Sequence, residues 1–291
     1  MSEFLQNDEH KQKKLKEIVR RLHAGAQVQD VQKEFSKLLK NVTPDEIASM
    51  EQSLINEGVP ASEVQSLCDV HVAVFEQTLE KQKAGKTVSG HPVDTYKKEN
   101  RHLKQLLRSL KKAGRSGKKS SDYTQAKQVL AEITKIEIHY QRKENQLFPM
   151  LERKNFTGPS KVMWGKHDEN RDKLKSVSKA LNGDIHKEVK HAINDLVKSM
   201  KGMIFMEEKI LFPTAMNKLS ESEWAQIRRE ESQIGYAWIN PGNVWDANIA
   251  STLDSEQNQQ PVPQEGQPVE AGELPLDTGV LTIEMINMML K

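Results

Sequence analysis

Apolar residues recur at steps of three and four along most of the chain, a spacing that predicts amphipathic helices. Two of these helical stripes carry a carboxylate among their apolar residues, and each leads into the same sequence, Leu-Phe-Pro. The first stripe reads Val129, Ile133, Ile136, Tyr140, Glu144, Leu147 and Leu151. The second stripe reads Ile193, Met200, Ile204, Glu208, Leu211 and Ala215. A carboxylate on a core-facing stripe is costly unless a positive group meets it, so the matched carboxylates predict one shared positive partner.

The periodic stretches predict an all-α fold, in which a small N-terminal helical domain (residues 1–84) precedes an up-down-up-down four-helix bundle (residues 88–220). The four bundle helices are expected at about Pro92–Lys112, Tyr123–Arg153, Ser160–Leu181 and Ile185–Leu219. Residues 221–250 are expected to form an extension that packs on the bundle. Residues 251–291 contain a Pro-, Gln- and Glu-rich stretch, which predicts a flexible, disordered linker that ends in a short amphipathic helix near Leu281–Leu290.

Composition and charge exclude several classes of protein. Lys and Arg (43) nearly balance Asp and Glu (41), and the net charge of +2 gives no basic footprint for nucleic acid. No apolar run approaches the roughly 18 residues of a membrane span, and the N-terminus lacks the apolar segment of a signal peptide. The single cysteine, Cys68, excludes an internal disulfide and points to a reducing compartment, so a cytoplasmic protein is expected. The sequence shows no nucleophile paired with a base, which favours a binding protein over an enzyme.

Counting turns from the helix ends brings four side chains together inside the bundle: His139, Glu144, His167 and Glu208. Three of them lie in one layer about two turns from the same end of the bundle, and His139 lies about one and a half turns deeper. Two histidines and two carboxylates suit a transition metal, so the pattern predicts a site for iron, manganese or zinc. Asn100, Arg171 and Met203 stand where a two-iron site would need further ligands.

Simpler roles are open for these residues. Arg171 could lie between Glu144 and Glu208 and neutralise both without a metal. His139 and His167 could be core histidines with ordinary hydrogen-bond partners. Five further residues are possible ligands, each with a plainer alternative: Met203 as core filler, Glu207 as the outward member of its pair, Asn100 as a hydrogen-bonding neighbour, His91 as a helix start, and His71 as an isolated pair with Cys68.

At these residues the chain resembles the hemerythrin-like (HHE cation-binding) family over residues 91–217. The family's helix motifs fall on Glu99-Asn100, on His139 with Glu144, on His167 with Arg171, and on Met203 with Glu207 and Glu208. The resemblance implies metal-ligating roles for four of them: His139, Glu144, His167 and Glu208. The chain departs from the family pattern at Asn100, Arg171 and Met203, which argues against a di-iron centre and reversible oxygen binding.

Residues 10–80 resemble a companion helical domain known as domain of unknown function 438, most closely at Leu67–Phe75. Gly90–Tyr96, Val162–Asp168 and Arg228–Tyr236 resemble the same bacterial subgroup. In that subgroup the tail often leads into a PAS sensor domain, and Leu276–Gly279 resembles the lead-in.

The resemblance implies a sensor module with one or two non-haem iron ions. Such a module would report oxygen, nitric oxide or redox state to a PAS domain or another signalling partner. One alternative is an iron-handling protein that repairs iron centres in other proteins. Another is a bundle that has lost its metal and keeps an Arg171–carboxylate cluster for its structure. Haem with an axial His or Met is a further alternative, although the chain has no Cys-x-x-Cys-His attachment motif.

Overall fold

The structure is a computed structural model. It describes residues 44–60, 87–115, 123–183, 185–248, 273–276 and 279–282, together with a few positions before residue 65. The described residues belong to two compact units, one within residues 1–254 and the other within residues 255–291. All regular secondary structure described in the first unit is helical, so the predicted all-α fold with a helical bundle is confirmed. In the described part of the chain, no helix is both long enough and apolar enough to span a membrane.

The helix α1 (Pro44–Asn56) precedes the bundle, whose first segment is α2 (Pro92–Ala113). The second segment consists of α3 (Thr124–Ile133), α4 (Ile136–Arg142), a first π turn (Lys143–Leu147) and α5 (Phe148–Arg153). The third segment is α6 (Gly158–Leu181). The fourth consists of α7 (His186–Met206), a second π turn (Glu207–Leu211) and α8 (Phe212–Lys218), and α9 (Glu221–Ile234) follows it.

Local sequence sets the helix ends. α2 starts at Pro92, where the missing N–H of proline costs nothing because the first N–H groups of a helix have no partner within it. Nδ1 of His91 accepts a 3.1 Å hydrogen bond from the N–H of Val93 and so caps the helix. α9 starts with a capping box, in which the side chains of Ser220 and Glu223 each accept a hydrogen bond from the other's backbone N–H. Gly235 ends α9 with a φ of +96°, a backbone conformation that favours glycine.

The two π turns occupy equivalent places in the repeated Leu-Phe-Pro sequence. Each runs into a Phe-Pro pair, and proline has no N–H to donate to the carbonyl four residues before it. The N–H of Phe148 bonds to the carbonyl of Lys143 five residues back, and Phe212 does the same with Glu207. Because π turns are rare and frequently occur at functional sites, the matched pair makes this level of the bundle a candidate functional site.

The helix α1 packs against one end of the bundle, where it contacts α6, the second π turn and α8. Its Leu54 side chain is 1% exposed and belongs to the bundle core. The side-chain oxygen of Gln52 accepts hydrogen bonds from the N–H and hydroxyl of Thr157, at 2.8 and 3.1 Å, and from the N–H of Gly158. Since the first N–H groups of a helix have no partner within it, Gln52 caps the start of α6.

The segment after the bundle covers the start of α2. α9 contacts α2, α4 and the first π turn. The rings of Trp224 and Trp245 lie 4.8 and 4.9 Å from the ring of His91, and the N–H of Trp245 donates a 2.9 Å hydrogen bond to the carbonyl of Ser89. Ala237, beyond the end of α9, is fully buried.

In the second unit the described residues form an antiparallel hairpin of β1 (Glu273–Leu276) and β2 (Gly279–Thr282), with Glu273 opposite Thr282. Leu281 and Thr282, which the pattern assigned to the start of a terminal helix, lie in β2. Val280 and Thr282 are β-branched residues, which favour a strand over a helix and account for the difference. The rest of that helix and the expected linker at residues 257–272 lie outside the described residues.

Candidate functional site

A group of buried polar side chains fills the bundle beside the two π turns. We call it the central cluster, and its members share an exposure of 7% or less: Glu99, Asn100, His139, Lys143, Glu144, His167 and Glu207. They come from the first three bundle segments and from the second π turn of the fourth. The cluster therefore draws on every segment of the bundle.

Lys143 stands at the centre of this cluster with an exposure of 0%. Its ammonium nitrogen is 2.8 Å from Nε2 of His167 and donates to Oε1 of Glu207 in a short contact. It also lies 4.8 Å from the centre of the Tyr140 ring, which stacks on His167 at 4.0 Å. A fully buried ammonium is thus held by one carboxylate, one imidazole and one aromatic face.

Both histidines turn Nε2 toward this centre and hold Nδ1 against a carboxylate. Nδ1 of His139 is 2.8 Å from Oε2 of Glu99, and Nδ1 of His167 is 2.6 Å from Oε1 of Glu144. Nε2 of His139 lies 3.2 and 3.3 Å from the two oxygens of Glu207. A carboxylate at the outer nitrogen fixes the ring orientation and the tautomer, as it does for histidines that bind metals.

The charges in the cluster shift the pKa values of its members. Burial lowers the pKa of Lys143, although Glu207 opposes the shift. Burial, reinforced by the charge of Lys143, lowers the pKa of His167 well below its usual value, so His167 accepts a hydrogen bond at Nε2. Burial alone would raise the pKa of Glu207, but the charges of Lys143 and His139 outweigh it and lower the pKa to about 2. Glu207 is therefore a carboxylate at neutral pH.

Glu207, rather than Glu208, is the inward carboxylate of the fourth segment, and this corrects the predicted orientation of the pair. Glu207 is 1% exposed, whereas Glu208 is half-buried and pairs with Lys104 at 3.0 Å. Steps of four from Met200 through Ile204 to Glu208 rotate by about 40° each at about 100° per residue, so Glu208 falls at the edge of the stripe. Glu207, seven residues after Met200, lies within about 20° of it.

Arg171 contacts one of the two carboxylates that it was predicted to bridge. It donates two hydrogen bonds of 3.1 Å to Glu144 and two more, of 3.0 and 2.9 Å, to Glu137. Burial raises the pKa of Glu144, and Arg171 opposes that shift. Glu208 lies elsewhere with Lys104, so the proposed Glu144–Arg171–Glu208 arrangement is absent.

The remaining predicted residues take structural places. Asn100 donates a 2.7 Å hydrogen bond to Glu207, while its own Oδ1 is buried and has no hydrogen-bond partner among the described residues. Met203 is buried in the apolar core, and His91 caps α2 with its pKa lowered by burial to about 4. His71 and Cys68 lie outside the described residues.

Sequence reasoning missed two neighbouring buried cations, Arg142 and Lys143. The repeat contained a signal for Lys143: alignment on Leu-Phe-Pro places it opposite Glu207, so equivalent positions carry opposite charges. The positive partner that Glu144 and Glu208 were predicted to share is not found, because Arg171 pairs with the first and Lys104 with the second. No comparable signal marks Arg142.

Arg142 forms a second buried ion cluster beside the first. Its guanidinium donates to Glu99 in a short contact and to Glu231 of α9 at 3.1 Å, and it lies 4.6 and 4.9 Å from the ring centres of Tyr96 and Tyr236. Burial raises the pKa of Glu231 to about 7, although Arg142 opposes the shift. Because Glu99 contacts both Arg142 and His139, it joins the two clusters.

The donors of the central cluster suit a single cation. Imidazole nitrogens and carboxylate oxygens are ligands for iron, manganese and zinc, and the orphaned Oδ1 of Asn100 is a further buried acceptor beside Glu207. Adjacent ligands bound at about 2.1 Å lie roughly 3.0–3.4 Å apart, as Nε2 of His139 and Glu207 do. Within the described residues, however, no group of three or more His, Cys, Asp or Glu is arranged to hold a metal ion. The ammonium of Lys143 is the cation among these donors.

Comparison with known families finds two matches along the chain. Residues 91–215 match the family model described as Hemerythrin HHE cation binding domain, which supports binding of a metal cation. Residues 15–81 match a Family of unknown function (DUF438). A search of curated proteins found no match. The chain thus carries a DUF438 segment followed by a hemerythrin HHE cation binding domain, and the central cluster belongs to the latter.

Proposed function

We propose that the hemerythrin HHE domain binds one metal ion, preferably iron, at His139, His167 and Glu207, and that it works as a sensor rather than an enzyme. The observation that carries the proposal is the pair of histidines that aim Nε2 at a shared centre while Glu99 and Glu144 hold their Nδ1 atoms. Iron with these nitrogen and oxygen ligands would supply a redox-active centre able to take a small ligand such as oxygen or nitric oxide.

The surroundings support sensing more than catalysis. The cluster is buried among aromatic rings, with Tyr140 stacked on His167 and the Tyr96 ring 5.0 Å from His139. The described grooves on the bundle surface are lined by residues such as Lys173, Lys175 and Lys187, and the central donors line none of them. A small gas could reach such a site more readily than an organic substrate.

The contacts of α1 offer a route from the site to the N-terminal segment. α1 lies within the DUF438 match, contacts the π turn that carries Glu207, and caps the helix that carries His167. A change in how the cluster holds its cation would therefore act on two elements that α1 touches. The sensor would therefore pass its signal to a partner through the N-terminal segment.

A second candidate function is a metal-free structural bundle, and the position of Lys143 favours it. The ammonium already neutralises Glu207 and uses the lone pair of His167. In this alternative the internal cation is Lys143 rather than Arg171.

Metal content tests the two candidates against each other. Mass spectrometry measures the metal content of wild type, Glu207→Gln and Glu208→Gln. Each protein is measured as purified without chelator and again after anaerobic loading with Fe(II). We expect about one iron per chain in wild type and in Glu208→Gln, and a loss of at least tenfold in Glu207→Gln. Circular dichroism checks that each variant is folded. Equal metal in the two variants, or none in folded wild type after loading, contradicts the proposal, and the second outcome supports the structural alternative.

Optical spectra of the iron-loaded protein test the sensor role. Addition of oxygen or nitric oxide should change the absorption of wild type and of Glu208→Gln alike. If the absorption spectrum of the iron-loaded protein does not change with oxygen, nitric oxide or a chemical reductant, the sensor role is contradicted, even if the metal is bound.

A further inference from the structure

We propose that Lys143 is a built-in competitor of the metal ion, whose side chain must leave the central cluster before the metal can bind. The inference rests on the proposed function and adds its regulation. It predicts that the chain itself, through one residue, sets how much free metal is needed to fill the site.

The ammonium of Lys143 and a metal ion would use the same atoms. An ammonium has three donors and no acceptor, so it can bind only to lone pairs. Lys143 takes those of His167 Nε2 and Glu207 Oε1, which are two of the proposed ligand atoms. A metal ion cannot share a lone pair with a hydrogen bond, so the two cations exclude one another at this centre.

Lys143 is held by those donors and by the Tyr140 ring rather than by a separate ion pair. Arg142 is engaged by Glu99 and Glu231, and Arg171 by Glu144 and Glu137. The carboxylate that Lys143 pairs with is Glu207 itself. An incoming metal would meet the negative charge of Glu207 in place of Lys143, so the exchange leaves no carboxylate there without a cation.

The charge of Lys143 is carried at the end of a side chain whose bonds can rotate. Lysine has a four-carbon stem with rotatable bonds, whereas the guanidinium of arginine is a rigid fork. Lys143 also begins the first π turn, where the helical hydrogen-bond pattern changes. A flexible cation at such a turn can rotate away without displacing a whole helix.

The experiment compares metal affinity in wild type, Lys143→Met and Lys104→Met. Methionine matches the length of lysine without its charge, and Lys104 is a matched control because it pairs with the outer carboxylate, Glu208. Anaerobic titration with Co(II), followed by its visible absorption and by competition with a chelator, gives the apparent Kd. We expect Lys143→Met to bind at least tenfold more tightly than wild type, and Lys104→Met to stay within about twofold.

Thermal melting supplies a readout that does not depend on absorption. Metal-free Lys143→Met should melt at a lower temperature than wild type because Glu207 loses its cation, and Co(II) should raise its Tm by more than it raises that of wild type. If the Met variant does not fold, Lys143→Gln, which keeps a donor for Glu207, replaces it with the same expected order.

The outcomes separate the two proposals. Binding in wild type that is equal or weaker in the Lys143 variant overturns the competitor role and leaves the proposed function in place. Binding in the Lys143 variant alone supports the competitor role but contradicts the proposed function of the wild-type chain, whose site the ammonium then keeps. No binding in any folded variant overturns the proposed function and, with it, the competition.

Discussion

Individual charges at equivalent places of a repeat decide the character of the central cluster. Lys143 and Glu207 occupy matched positions ahead of Leu-Phe-Pro, and they meet as a buried ion pair. Glu208, beside Glu207, pairs instead with Lys104, and both of these side chains are partly exposed. Glu144, beside Lys143, is buried and contacts both His167 and Arg171. The fourth segment therefore has an inner and an outer carboxylate, with different energetic roles.

The inner and outer carboxylates should differ sharply in their effect on stability. In metal-free protein, Glu207→Gln leaves the buried ammonium of Lys143 without its counter-charge, and we expect a loss of about 3–5 kcal/mol in the free energy of unfolding. Glu208→Gln removes a partly exposed ion pair and should cost about 0–1 kcal/mol. Urea denaturation followed by circular dichroism measures both. Similar losses in the two variants would show that the inner pair is not the stronger one.

Glu231 should make the stability of the protein depend on pH near neutrality. Its folded pKa of about 7 lies above its ordinary value of 4.5, so between these pH values the folded state binds more protons than the unfolded state. Stability from this group is therefore lost as pH rises through that window. Glu231→Gln removes the effect, and we expect the variant to gain roughly 2–3 kcal/mol relative to wild type between pH 5 and pH 8.

Urea midpoints of both proteins at pH 5, 6, 7 and 8 give this difference directly. A constant difference across the series would mean that Glu231 ionises normally beside Arg142. The comparison with Glu231→Gln is needed because other buried groups, such as His167, contribute their own pH dependence in the acid range.

At the scale of helices, the sequence predicts positions well and side-chain directions less well. The expected third helix, Ser160–Leu181, differs from α6 (Gly158–Leu181) by two residues at one end, because proline, asparagine and glycine mark its boundaries. The same pattern predicted that His139, Glu144 and His167 come together inside the bundle, and all three lie in the central cluster. The pattern predicted Glu208 rather than Glu207 as the inward carboxylate. This prediction followed the alignment of the two repeats instead of the angular position of each residue on the helix.

The buried cations were missed for a physical reason. Lys143 and Arg142 are ordinary surface residues by type, and only tertiary contacts make their burial tolerable. Glu231, which pairs with Arg142, is 89 residues away in the sequence, so helical periodicity contains no information about the contact.

The capping box of α9 provides a prediction about an element. Ser220→Ala removes the hydroxyl that accepts from the N–H of Glu223, and we expect a loss of about 1 kcal/mol. Ser178→Ala, an exposed change inside α6, is the control and should stay within about 0.5 kcal/mol of wild type. Thermal melts measure both, and an equal effect at the two sites would argue against the cap.

At the scale of the whole molecule, α1 and the bundle share one packed interface. Gly158 matters there because a Cβ atom at this position would lie 2.9 Å from the backbone nitrogen and Cα of Gln52. A side chain at residue 158 must therefore push α1 away from the start of α6.

Gly158→Ala should loosen α1 while the bundle stays folded. We expect hydrogen exchange in residues 44–60 to quicken by at least fivefold, with little change in α7. Gly202→Ala is the control, since a Cβ there meets nothing within 4 Å and alanine favours the helix by up to about 1 kcal/mol. Unchanged exchange in α1 of the Gly158 variant would contradict the close packing described here.

Under the proposed function, the Lys143–Glu207 pair allows the chain to fold before its metal ion arrives. Small metal-dependent domains commonly stay unfolded until their ion arrives, because their ligands repel one another or lack a partner. Here the charge of the inner carboxylate is already balanced within the chain. The polypeptide can therefore complete its core during metal scarcity and accumulate as a folded pool. Loading can then follow the supply of metal rather than the rate of synthesis.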